Sequence, residues 1–115
     1  MAEKKKVVRN EVEITLAGKV RTMRATFEAL QSIEARLGNL TRIIQQVVSG
    51  DVGITLCATV TYYGLAGFGD TRLTYEEVGK AVMDMGLGKA MKPVTDFLMI
   101  AMAGVDVPLD GPAPK

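Results

Sequence analysis

The sequence predicts an α+β domain in which an N-terminal β-hairpin packs on a small bundle of four to five helices. Three observations lead there. Apolar residues alternate from Val12 to Leu16, a glycine turn follows at Gly18, and from Phe27 onward the apolar spacing lengthens to that of helices. A chain of 115 residues suits one core rather than two. The expected division is a flexible tail over residues 1–10, one domain over 11–104, and a second flexible tail over 105–115.

Along the first strand Val12, Ile14 and Leu16 point one way, while Glu11, Glu13 and Thr15 point the other. Ala17, Gly18 and Lys19 supply a turn with Gly18 at positive φ, and Val20 to Ala25 return as the partner strand. A lone hairpin is marginal in water, so one face must lie on helices. Thr26 occupies an N-cap position, and Glu28 puts negative charge at the positive end of the helix dipole. Phe27, Leu30, Ile33 and Leu37 form the apolar stripe, which Gly38 terminates. Leu40, Ile43, Ile44, Val47 and Val48 repeat the pattern, ending at Ser49 and Gly50.

Val52, Ile54, Thr55, Val60, Thr61, Tyr62 and Tyr63 favour strand by intrinsic preference. The run is long, however, and Ile54, Cys57, Ala58, Thr61 and Leu65 share a helical face, so a helix is expected. Gly64, Gly67 and Gly69 are then expected to open a loop through Asp70 and Arg72. In "LTYEEVGKAVMDMGL", Thr74 and Glu77 make a capping box, Tyr75, Val78, Val82 and Met85 make the buried stripe, and Gly86 ends it. Pro93 suits the first turn of a last helix, which is therefore expected to start near Lys92 after a short turn and to run to Ala103.

Composition narrows the chemistry. Charges nearly cancel at a formal +1, and the basic run Lys4, Lys5 and Lys6 falls in the expected tail, so no nucleic-acid partner is indicated. Cys57 is the single cysteine and there is no histidine, which removes an internal disulfide, the usual zinc sets and the commonest general base. Glu11 with Glu13, and Glu76 with Glu77, are explained by a strand face and a helix first turn. "GLGK" at Gly86–Lys89 lacks the glycine and hydroxyl residue that a phosphate loop needs. No metal, cofactor or catalytic role is expected. Neither a signal peptide nor a membrane span is visible, so the expected location is the cytoplasm.

The stretches "TFEALQSIEARLG" (Thr26–Gly38), "SGDVGIT" (Ser49–Thr55) and "LTYEEVGKAVMDMGL" (Leu73–Leu87) together resemble a family of tail proteins from gene transfer agents and related siphophages. That family is described as tail assembly chaperones and sometimes labelled tail tube proteins. The resemblance spans roughly residues 10–105, rests on structural motifs and carries no catalytic residue. Ala25 stands where the family often has proline. What the resemblance implies is a chaperone acting in the host cytoplasm, with the tape measure protein as partner and the tail tube protein as a second. The alternative is a structural tube or connector subunit that closes a ring with its own copies, a homo-oligomer.

The residues suggest where such a partner would bind. In "VTDFLMIAMAG", Val94, Phe97, Leu98 and Ala101 fill one helical side, while Met99, Ile100 and Met102 spread the apolar surface beyond one stripe. Seven methionines, against three phenylalanines and three tyrosines, suit a surface that adapts to a partner. Phe97, Met99, Ile100 and Met102 are the expected partner-binding residues, with the helix containing Ile43 contributing.

Overall fold

A computed structural model describes residues 10–103. Strands β1 (Glu11–Leu16) and β2 (Lys19–Arg24) pair antiparallel and are followed by α1 (Phe27–Leu37), α2 (Leu40–Val48), α3 (Ile54–Phe68), α4 (Tyr75–Met85) and α5 (Leu87–Ala103). The fold is α+β, a hairpin on five helices. The tails expected at 1–10 and 105–115 lie, Asn10 aside, outside the described residues.

The hairpin turn contains two residues, and both Ala17 (φ 52°) and Gly18 (φ 78°) adopt left-handed backbone. That geometry matches the twist of the flanking strands. It also fixes the register: Leu16 faces Lys19, Ile14 faces Arg21 and Val12 faces Met23. Paired residues share a face of the sheet, so Arg21 and Met23 are carried to the core side with Ile14 and Leu16, and Val20 is turned to solvent.

Helix α1 begins as its sequence dictates, the Thr26 hydroxyl accepting from the Ala29 N–H at 3.1 Å. Its buried side is Ala29 and Ile33, with Leu30 and Leu37 packed at the edge. Phe27 departs from the expected stripe and is 70% exposed, because the first helical position lies beyond the reach of the core. At the start of α2 the Asn39 side chain makes no cap; Glu34 reaches forward instead and accepts from the Leu40 N–H at 3.0 Å. Val48, also expected in a stripe, is exposed at the end of α2.

Helix α3 is the centre of the fold. Leu56 to Thr61 are buried in unbroken succession, with Gly64 and Leu65 beyond them. Strand β2, α1, α4 and α5 all pack on it. Helical backbone wins over local strand preference here because a helix satisfies its own hydrogen bonds while neighbours cover every side.

The loop expected from Gly64 onward is instead the last turn and a half of this helix, running to Phe68. Two glycines inside a helix cost about 1 kcal/mol each relative to alanine. Close approach explains them: a Cβ on Gly64 would stand 2.9 Å from the Met23 Cβ, and one on Gly67 would collide with the Arg24 carbonyl oxygen. Only Gly69 ends the helix. Its left-handed backbone lets its own N–H reach Ala66 O and the Asp70 N–H reach Leu65 O, a Schellman closure.

The capping box of α4 is present in both directions, Thr74 with Glu77 at 2.9 and 3.1 Å. Val78, Ala81 and Val82 are buried, with Tyr75 and Met85 at the margin. Helix α5 starts immediately after Gly86, whose carbonyl accepts from Lys89 and Ala90, so the expected start near Lys92 is too late. Pro93 is inside a continuous helix. It forfeits its own N–H bond to Lys89, whose carbonyl belongs to an exposed residue that water can serve. One core joins these elements, with Phe97, Leu16, Met23, Ile33, Ile43 and Leu65 its largest fully buried side chains.

Candidate partner-binding surface

Helix α5 sorts the four residues expected to bind a partner into two pairs. Phe97 is fully buried and Ile100 is 9% exposed, so both belong to the core. Met99 and Met102 face outward at 47% and 53% exposure. The cause is the placement of α5 against α2, α3, α4 and β1, which covers a wider arc of the helix than one stripe. Burying Phe97 stabilises the domain by roughly 2–3 kcal/mol, and a partner could reach it only after α5 moved. The apolar surface that remains near the end of α5 is therefore methionine surface.

Other large apolar side chains are exposed elsewhere: Phe27 on α1, Val48 on α2, Phe68 on α3 and Met83 on α4. Phe68 is held under a cation, the Arg24 guanidinium lying 5.3 Å from its ring centroid. Arg24 also donates through Nε to Glu11 at 3.0 Å.

A second feature is a groove between α1 and α3. Its volume is about 340 Å³, and it is lined by Thr26, Glu28, Ala29 and Ser32 from one side and Tyr62, Tyr63, Ala66 and Gly67 from the other. Tyr62 meets Tyr63 edge to face, with centroids 5.0 Å apart, and meets Tyr75 at 5.6 Å. The Tyr75 hydroxyl is 3.1 Å from that of Thr59, and the Arg36 guanidinium sits 4.7 Å from the Tyr75 ring centroid. The aromatic row thus continues past the groove to a cation on α1. The loop expected at Gly64–Gly69 hides the groove, to which Ala66 and Gly67 contribute, whereas the row depends on how α3 and α4 pack, which no local pattern states. Small residues at Ala29 and Ser32, and again at Ala66 and Gly67, were the available signal.

Electrostatics are concentrated at the foot of α3. Asp70, placed there by the Schellman closure, accepts from Arg21 at 2.8 Å and from Arg72 at 3.0 and 3.2 Å. Hydrogen bonds from Arg72 first, and then Arg21, hold its carboxyl at about 2 against the desolvation that opposes them. This carboxylate is structural. It neutralises the arginine that the hairpin register drives to the core side, and the Arg21 and Asp70 side chains are only 10% and 6% exposed. Burial pushes the Cys57 thiol up, which disfavours thiolate. Among the described residues no group of three or more metal-ligating side chains occurs, and no helix is long and apolar enough to cross a membrane.

The chain belongs with the tail proteins of phages and gene transfer agents, as its match to one of their families over most of its length shows. In particular, the chain is a member of the family described as phage tail tube protein, GTA-gp10, whose model matches residues 9–104 and so takes in every strand and helix described above. No curated protein and no solved structure matches the chain.

Proposed function

We propose that this tail protein is an assembly chaperone that binds the tape measure protein in the host cytoplasm while the tail is built, and that it works by binding rather than catalysis. The observation that carries the reading is the pair Met99 and Met102. They are flexible thioethers left outside on a helix whose opposite side, with Phe97 and Leu98, is locked into the core. Such a surface adapts to varied apolar segments without needing shape complementarity to one.

Co-expression tests it. The tape measure protein is produced with and without this chain, and its soluble fraction is compared. The double variant Met99→Asp/Met102→Asp should fold as the parent does and lose the solubilising effect. A soluble fraction that does not depend on this chain, or a double variant as effective as the parent, counts against the proposal.

The second reading, a structural tube or connector subunit, is favoured by the family's own description as a tail tube protein. It makes the exposed apolar residues contacts between copies in a ring. Purified particles separate the two: a ring subunit is present at fixed stoichiometry, and a chaperone is scarce or absent.

A further inference from the structure

We infer that the α1–α3 groove receives one amphipathic helix of the partner protein, and that two opposite charges at the ends of the aromatic row set which helix fits. The inference rests on the chaperone reading for the partner's identity and on the groove's own geometry for its chemistry. The floor is made by Ala29, Ala66 and Gly67, residues short enough to let another helix come close. The wall is tyrosine. Tyr62 and Tyr63 are half-buried, each presenting a rigid amphipathic ring to the opening, and tyrosine and arginine are the residue types that dominate binding energy at protein interfaces.

Charge then selects the occupant. Glu28 lines one end of the groove, and Arg36 lies over Tyr75 at the far end of the row, both exposed and both on α1. Eight residues of helix separate them, about 12 Å along the axis. A partner helix lying alongside α1 is complementary when it carries one basic and one acidic residue about eight positions apart, flanking an apolar stripe. A helix with two like charges at those positions meets repulsion at one end.

The chain has three tyrosines and no tryptophan, and all three tyrosines are in this row. Intrinsic tyrosine emission therefore reports on this row, two members of which, Tyr62 and Tyr63, line the groove. The probes are three synthetic helical peptides without aromatic residues, identical except at two positions eight apart, which hold Lys and Glu, Lys and Lys, or Glu and Glu. The full chain should show a saturable change in emission with the Lys/Glu peptide at least about fivefold tighter than with the other two, the size expected of two exposed ion pairs. Arg36→Glu should make the Lys/Lys peptide the tightest, and Ser32→Arg should abolish the response while circular dichroism stays that of the parent.

Emission unmoved by all three peptides, equal affinities, a preference unchanged by Arg36→Glu, or binding retained by Ser32→Arg would each overturn the inference. Its fate is separable from that of the chaperone reading. If Ser32→Arg still keeps the tape measure protein soluble in co-expression, the groove is wrong and the chaperone stands. If the parent itself fails to do so, the chaperone reading falls, and the peptide titration alone judges the groove.

Discussion

A methyl group on Gly67 would collide with the backbone carbonyl of Arg24, so β2 meets α3 at a point where no side chain fits. A carbonyl in a paired strand cannot yield as the tip of a side chain can. Gly67→Ala should therefore destabilise the domain by about 2–3 kcal/mol despite its better helix propensity. Gly79, on α4, is the control: a Cβ there would rest 3.8 Å from Ala58 Cβ, an ordinary contact. Gly79→Ala should stabilise by about 0.5–1 kcal/mol. Urea unfolding of both variants checks the contrast, and equal signs would refute it.

Acid should weaken the fold through Asp70. Its carboxyl titrates at about 2 in the folded chain, below its ordinary value of 3.8, so its stabilisation is fully present above about pH 4 and is lost as pH falls from about 4 to 2. Arg72 is well solvated, which trims the effect to roughly 1–2 kcal/mol. Asp70→Asn should flatten the stability profile in that window. It should also cost about 3 kcal/mol at pH 7, because it strips Arg21 of its partner on the core side. Thermal melts between pH 2 and 7 supply the comparison.

The two halves of α5 should respond oppositely to truncation. Phe97→Ala should cost about 3–5 kcal/mol, since the site is closed on all sides. Met99→Ala should stay within about 0.5 kcal/mol of the parent and change only what the surface binds. A stability loss at Met99 comparable to that at Phe97 would mean α5 is buried more deeply than described.

Cys57 should resist thiol reagents. Burial within α3 both hides the sulfur and raises its pKa. Labelling at pH 8 should proceed only as fast as the chain opens, and should become immediate in denaturant. Fast labelling of the folded chain would contradict its place in the core.

What was legible in the sequence follows from how local each cause is. Thr26 and the Thr74–Glu77 box announced their helices because a cap is made within four residues, and Val12, Ile14 and Leu16 gave the sheet face by alternation alone. Gly64 and Gly67 read locally as loop because their reason lies about forty residues away, at Met23 and Arg24. Pro93 reads as a start signal because nothing nearby says that Gly86 already nucleates the turn before it. The candidate surface was half legible. Apolar spread on α5 was visible, but which of Phe97, Met99, Ile100 and Met102 would face inward depended on four neighbouring elements. The tyrosine row depends on how α3 packs against α4, and the groove beside it on α3 reaching past Gly67.

The central position of α3 bears on how the chain is made. Helix α3 emerges from the ribosome while α4 and α5, which supply much of its cover, are still inside the exit tunnel. For that interval an element apolar on nearly every side is held only by the hairpin and α1, the state in which nascent chains self-associate.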